Sequence, residues 1–137
     1  MSFDAAFEYF SNEGFRPKGD KLRQTIEFRK DGERFHLQFD KDDPDFYRLN
    51  LPDFWLMADQ DEWRNAKLAA LQVNRTIKCA CVDISEQYDP DAKASIKAEL
   101  FCDNVDSFLE VWERAANSIQ AARREFVKRM RETQDAD

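Results

Sequence analysis

The chain has 137 residues, 42% of them hydrophobic and 13% aromatic, which is enough to form the core of one domain. Its 28 acidic and 21 basic residues give a formal net charge of −7. This balance argues against a nucleic-acid-binding protein, because phosphate contacts depend on Lys and Arg. No apolar run reaches the ~18 residues of a membrane span, and the acidic N-terminal segment is unlike a signal peptide. We therefore expect a cytoplasmic protein that is not bound to a membrane and keeps its three cysteines reduced.

The first 52 residues predict a short helix followed by antiparallel strands. Phenylalanines recur at helical spacing in the first ten positions, and Gly14 suits the position just after a helix end. We expect a turn at residues 18–20, and the Asp31-Gly32 pair is typical of a β-hairpin. The predicted strands cover residues 22–28, 34–39 and 46–51. Pro52 should end the third strand, because proline cannot donate to a central ladder.

Residues 59–77 predict one long amphipathic helix, around which the rest of the chain is arranged. The predicted core-facing stripe of this helix consists of Trp63, Ala66, Ala69, Ala70, Val73 and Ile77. Asp59 or Asp61 is placed to cap its first turn. Leu68 and Leu71 project beside the stripe and allow two interpretations. They belong to a slightly wide core face, or they cover a partner.

An apolar segment, Phe54, Trp55 and Leu56, precedes this helix and raises a similar choice between a corner packed under the sheet and a groove for a partner. The candidate dimer or partner surface therefore consists of Leu68, Leu71, Phe54, Trp55 and Leu56.

The remaining elements are two strands and a closing helix. Residues 79–85 and 95–102 alternate as strands, and residues 86–92 read as a loop. Asp103 or Asn104 should cap the last helix. The predicted fold is α+β, in the order α-β-β-β-α-β-β-α, with a five-stranded antiparallel sheet packed against helices. We expect a single domain over residues 1–132 and a frayed acidic tail over residues 133–137.

No catalytic constellation can be identified. The single histidine, His36, lies on the outward face of a predicted strand, without the nucleophile and orienting group that a triad requires. The three cysteines, Cys79, Cys81 and Cys102, offer at most three thiolates. Structural zinc takes four ligands, typically with two to four residues between paired cysteines, whereas one residue separates Cys79 from Cys81. The acidic turn at residues 40–45 lacks the glycine and glutamate of a calcium loop. We therefore expect no enzyme activity, metal or other cofactor.

Basic residues crowd the last predicted helix, where cations complement the negative end of the helix dipole. They are Arg123, Arg124, Lys128, Arg129 and Arg131. We expect this dipole role rather than a phosphate-binding patch.

Three segments together resemble the YbjN-like family, whose members are named bacterial sensory transduction regulators. They are DEWRNAKLAALQVNRTIKCACVDIS, ASIKAELFC and DNVDSFLEVWERAANSIQ, within residues 61–119. Asn65, Leu68 and Asn74 lie close to the family pattern N-x-x-L-x-x-x-N. That family is similar in fold to class I type III secretion chaperones, small acidic cytosolic homodimers that hold an extended effector segment. The resemblance implies a bacterial homodimer with Leu68 and Leu71 at or near its seam, and a protein or peptide client.

Two functions remain open at this point. The first is a noncatalytic protein-binding module that binds its client through apolar pockets or by strand addition to a free sheet edge. The second is a small-molecule or redox sensor, or an enzyme, that uses a cavity between sheet and helices and the thiols of Cys79 and Cys81.

Overall fold

The computed structural model describes residues 2–135, which form three helices and six strands. In chain order they are α1 (Ser2–Asn12), β1 (Lys18–Asp20), β2 (Thr25–Lys30), β3 (Glu33–Phe39), β4 (Phe46–Leu56), α2 (Gln60–Thr76), β5 (Ala80–Ile84), β6 (Lys93–Phe101) and α3 (Val105–Asp135). The strands form one antiparallel sheet in the order β1-β2-β3-β4-β6-β5. All three helices pack against this sheet, and α2 and α3 also pack against each other. The predicted α+β class with an antiparallel sheet is confirmed.

The end of α1 shows how local sequence sets an element boundary. Gly14 has a φ of +85°, a backbone conformation that glycine adopts without steric cost. Its N–H donates to the carbonyl of Ser11 at 3.1 Å, and the N–H of Phe15 donates to the carbonyl of Phe10 at 3.0 Å. These two bonds are a Schellman motif with Gly14 just after the helix, the position that the sequence predicted for it, and they turn the chain toward β1.

The sheet has six strands, so the prediction of five was wrong. Residues 18–20, predicted as a turn, form β1 and pair with Glu27, Ile26 and Thr25 of β2. The turn lies instead at residues 21–24, where the Asp20 carboxylate accepts the backbone N–H of Arg23 at 3.1 Å. Leu22, predicted to lie within a strand, is therefore 82% exposed.

Strand β4 does not end at Pro52 but continues to Leu56. Pairing with β3 stops at Asn50, and the register with β6 shifts between Leu51 and Trp55. Pro52 lies within this bulge, where no ladder hydrogen bond needs its missing N–H. Asp53, with a φ of +54°, completes the irregularity.

The two long helices bury apolar stripes against the sheet, although Trp63 and Ile77 of the predicted α2 stripe are only partly buried. Helix α2 begins after Asp59, and its buried residues are Ala66, Ala69, Ala70 and Val73. Helix α3 is capped by Asn104, whose side-chain oxygen accepts the N–H of Ser107 at 2.9 Å. Its buried residues are Phe108, Trp112, Ala115, Ala116, Ile119, Gln120, Ala122, Phe126 and Met130. Helix α3 continues to Asp135, three residues into the segment for which fraying was predicted, and that fraying stays a prediction.

The sheet buries one face under the helices and leaves polar side chains on the other. The buried face is apolar throughout the central strands. On the open face His36 lies 3.0 Å from the Glu27 carboxylate, Arg48 pairs with Glu99 at 2.8 Å, and Lys97 reaches Asp83 at 3.2 Å.

Within residues 2–135, we find no helix with the length and apolar character needed to cross a membrane.

Candidate interaction surface

The start of α2 is held in place by two acidic side chains. Asp59 accepts the backbone N–H of Glu62 at 2.8 Å, which caps the first turn. Glu62 reaches back and accepts the indole N–H of Trp55 at 2.8 Å and the backbone N–H of Ala58 at 3.3 Å. This exchange is close to a capping box, and it ties the last residues of β4 to the helix.

The end of α2 is fixed by a side chain that pairs with a backbone. The Asn74 Oδ1 accepts the N–H of Val82 at 2.7 Å, and the Asn74 Nδ2 donates to the Val82 carbonyl at 3.1 Å. Val82 lies at the middle of β5, the strand at one end of the sheet. The carboxamide therefore occupies the hydrogen-bonding groups that an added strand would need at the centre of that edge.

The outward side of α2 carries two leucines that no other part of the described chain covers. Leu68 is 63% exposed and Leu71 is 50% exposed, so the interpretation of a wider core face does not fit the structure. Arg64 and Arg75 are exposed on the same side, one turn before Leu68 and one turn after Leu71. We call these four residues the α2 outer face. It is a short apolar strip between two cations.

The other three predicted surface residues are placed differently. Phe54 and Trp55 are half-buried, and their rings lie 5.3 Å and 5.9 Å from the ring of Phe126 in α3. They form a packed corner between β4 and α3, as in the first interpretation of this segment, and not a groove for a partner. Leu56 is 68% exposed. Of the five predicted residues, then, only Leu56, Leu68 and Leu71 are exposed.

Cys81 and Cys102 lie in settings that do not favour thiolates. Burial and the nearby Asp83 carboxylate raise the pKa of the Cys81 thiol, and burial together with Asp103 raises the pKa of Cys102. Cys79 is exposed just before β5. In the part of the chain that the structure describes, no three His, Cys, Asp or Glu side chains cluster as metal ligands would. The sequence-based role for Cys79 and Cys81 in redox sensing gains no support from this geometry.

One apolar feature was missed from the sequence, a cleft between α1 and the β3–β4 turn. It has a volume of about 470 Å³, and its apolar lining comes from Phe3, Phe39, Pro44 and Phe46. The Phe46 ring also stacks edge-on against Phe101 at 5.4 Å, and Phe101 is 74% exposed. Both phenylalanines occupy outward positions of paired strands, and that pattern could have been found once the strand register was known.

Comparison with known proteins agrees with this architecture. No protein-family model and no curated protein matches the chain. Among solved structures, the chain has the fold of YbjN-like proteins, an α+β class with helices packed on an antiparallel sheet. It is similar to YbjN of E. coli, named as a candidate transcription regulator, with a TM-score of 0.66 and 8% identity over 87% of this chain and 86% of that one. It is also similar to an uncharacterized protein from Methanothermobacter thermautotrophicus, with a TM-score of 0.63 and 9% identity over 97% and 99% of the two chains. At such identities the likeness concerns the fold.

Proposed function

We propose that this protein is a noncatalytic binding module, chaperone-like or regulatory, that acts in the cytoplasm as a homodimer and holds a protein or peptide segment. The observation that carries the proposal is the α2 outer face. At least half of the Leu68 and Leu71 side chains is exposed. They lie on a helix whose two ends are fixed by Asp59, Glu62 and Asn74. A rigid helix that presents adjacent leucines to solvent is typical of an interface.

The charges along α2 favour a second copy of the chain as the partner of this face. The first turn carries Asp61 and Glu62, and the last turn carries Arg75. In a two-fold symmetric dimer the same surface meets itself, so two α2 helices would lie antiparallel. Asp61 of each copy, which also offsets the charge of Arg64 at 3.4 Å, would then lie toward Arg75 of the other, on either side of a central leucine cluster.

A client segment would use apolar surface away from α2. Strand addition at β5 is disfavoured because Asn74 already occupies the backbone groups of Val82. The cleft lined by Phe3, Phe39 and Phe46 offers about 470 Å³, room for apolar side chains of an extended peptide. This mode of binding, and the likeness to secretion chaperones that suggested it, are parts of the proposal.

The proposal is tested by the mass of the protein in solution. Light scattering over a concentration series should give a dimer near twice 16.2 kDa for the wild type. The Leu68→Asp/Leu71→Asp variant should give a folded monomer. A wild-type monomer at every concentration would overturn the homodimer.

A second candidate function is small-ligand binding in the same cleft. Its volume of about 470 Å³ lies within the range of about 300–1,000 Å³ typical of ligand pockets. Fragment screening by NMR decides between the two. Binding of small apolar fragments with shifts at Phe39 and Phe46, together with a monomeric wild type, would favour the ligand-binding function.

A further inference from the structure

We propose that a basic groove on the second half of α3 binds an acidic segment of a protein partner. The groove has a volume of about 410 Å³. It is lined by Arg123, Arg124, Val127, Lys128, Arg131 and Glu132, and we call these six residues the α3 groove. The inference rests on the proposed function, since it gives the chemical class of the client.

The helix dipole does not account for these cations. The sequence led us to expect them at the C-terminus of the helix, but α3 continues to Asp135 and has no basic residue in its last turn. Arg123 and Arg124 lie about three turns before that end. The dipole interaction decays within the last turn, so it cannot be the main reason for two arginines at this distance.

Intramolecular ion pairing does not account for them either. Neighbouring Arg129 pairs with Glu125 at 3.0 Å and also contacts Gln72 of α2. In contrast, none of the four groove cations has a carboxylate within ion-pairing distance among the side chains that the structure describes. Arg124 and Lys128 are four residues apart and Lys128 and Arg131 three apart, so like charges repel along one helix face. An anionic partner would relieve that repulsion.

The charge on the rest of the chain favours a short acidic segment over nucleic acid as the ligand of the α3 groove. The groove holds four of the 21 basic residues and one of the 28 acidic ones. The remaining 17 basic and 27 acidic residues give the rest of the chain a formal charge of −10, which would repel a long polyanion such as nucleic acid. A short acidic stretch avoids this repulsion.

The shape of the groove fits a peptide better than a single phosphate. Its residues span positions 123–132, a rise of about 13 Å along a helix, so the cations are spread out rather than converging on one point. About four residues of extended chain cover that length. Val127, half-buried between the cations, gives the floor an apolar contact for the stems of glutamate side chains.

The test measures binding of fluorescein-labelled hexaglutamate to the full chain by fluorescence anisotropy, with labelled hexaglutamine as the uncharged probe. The variant Arg124→Glu/Lys128→Glu should bind hexaglutamate at least about tenfold more weakly than the wild type, through lost attraction and new repulsion. The matched control is Lys18→Glu/Arg29→Glu. Both of its residues are exposed on other elements, and the change in net charge is the same. The control should stay within about threefold of the wild type.

Three results would overturn the inference. They are no binding of hexaglutamate to the wild type, an equal loss in both variants, and tighter binding of a six-nucleotide oligothymidylate than of hexaglutamate. Light scattering on the same samples separates this inference from the homodimer, because Arg124 and Lys128 are not part of the α2 outer face. A monomeric wild type that binds hexaglutamate through the α3 groove would refute the homodimer but support the inference about the groove. A dimer that does not bind hexaglutamate would support the homodimer but refute the inference about the groove.

Discussion

Asn74 closes one edge of the sheet by pairing with both backbone groups of Val82. The two hydrogen bonds, 2.7 Å and 3.1 Å long, reproduce with a side-chain amide what a neighbouring strand would supply with its main chain. The same contact anchors the end of α2, so the helix that carries Leu68 and Leu71 has a fixed orientation. Asn74 therefore both protects this edge and anchors one end of the helix that presents the leucines.

Asn74→Ala should lower the free energy of unfolding by about 1 kcal/mol. Two hydrogen bonds are lost, and the higher helix propensity of alanine offsets part of the loss. Urea unfolding gives the stability, and hydrogen exchange should show faster exchange of the Val82 amide in the native state. Lys78→Ala, an exposed position just after α2, is the control and should change stability by about 0.5 kcal/mol or less. Unchanged protection of the Val82 amide in Asn74→Ala would contradict the role given to this contact.

Glu62→Ala should destabilise the protein by about 1–2 kcal/mol. The substitution leaves the indole N–H of Trp55 and the backbone N–H of Ala58 without their common acceptor. Asp61→Ala is the control in the same helical turn, since it removes an exposed carboxylate whose ion pair with Arg64 is also exposed. Urea unfolding of both variants checks the prediction. Equal losses in the two would show that first-turn charge, rather than the Glu62 contacts, sets the effect.

The open-face pair of Arg48 and Glu99 predicts a pH dependence of stability. The hydrogen bond from Arg48 holds the pKa of Glu99 below its ordinary value of 4.5. A carboxylate with a lowered pKa in the folded state stabilises the fold above the unfolded-state pKa, and this contribution is lost as pH falls through the folded-state pKa. The Glu99 side chain is 37% exposed, so solvent screening limits the contribution to about 1 kcal/mol at most.

Glu99→Gln should therefore lower the urea midpoint at pH 7 and have progressively less effect as the solution is acidified below pH 4.5. Glu110→Gln, on an exposed position of α3, is the control and should change little at either pH. A Glu99→Gln effect of constant size across this pH range would contradict the ion-pair explanation.

The thiols should react in a fixed order. With Ellman's reagent at pH 7, Cys79 should react first because it is exposed, whereas Cys81 and Cys102 should react slowly because burial raises their pKa. Their rates should rise as pH increases through 9.0, the ordinary thiol pKa, and beyond it. Cys79→Ser should remove only the fast phase, and unfolding in urea should make every remaining thiol fast. Reaction of native Cys81 faster than in the unfolded chain would support the redox-sensor alternative.

Much of the fold can be predicted from local patterns in the sequence. The core stripes of α2 and α3 and the hairpin turn at Asp31 depend on spacing and on turn chemistry, which act over a few residues. β1 was missed because three residues without an apolar alternation give no strand signal. Its position is set by tertiary structure, since Gly19 packs so closely against α1 that an added Cβ would lie 2.8 Å from the Phe3 ring. Pro52 was misleading for the same kind of reason, since a bulge removes the constraint that proline normally imposes.

The candidate surface was predictable only in part. Spacing places Leu68 and Leu71 beside the core stripe of α2, but it left open whether they are covered, and only the structure shows that they are exposed. The half-burial of Phe54 and Trp55 depends on the position of Phe126, more than 70 residues away, and no local pattern reports it. The role of Asn74 is similarly hidden, because an asparagine near a helix end reads as an ordinary polar residue until β5 is placed beside it.

The most direct test of the proposed function is the mass of three proteins in the same light-scattering series. The wild type should form a dimer near twice 16.2 kDa, and Leu68→Asp/Leu71→Asp should be a monomer with unchanged circular dichroism. Leu22→Asp/Phe101→Asp is the matched control, because it places the same charges on two large apolar residues that are more exposed but lie off α2 and outside the candidate dimer surface. This control should remain a dimer. Dissociation of the control to the same extent as the α2 variant, or a wild type that is monomeric throughout, would contradict a homodimer formed through the α2 outer face.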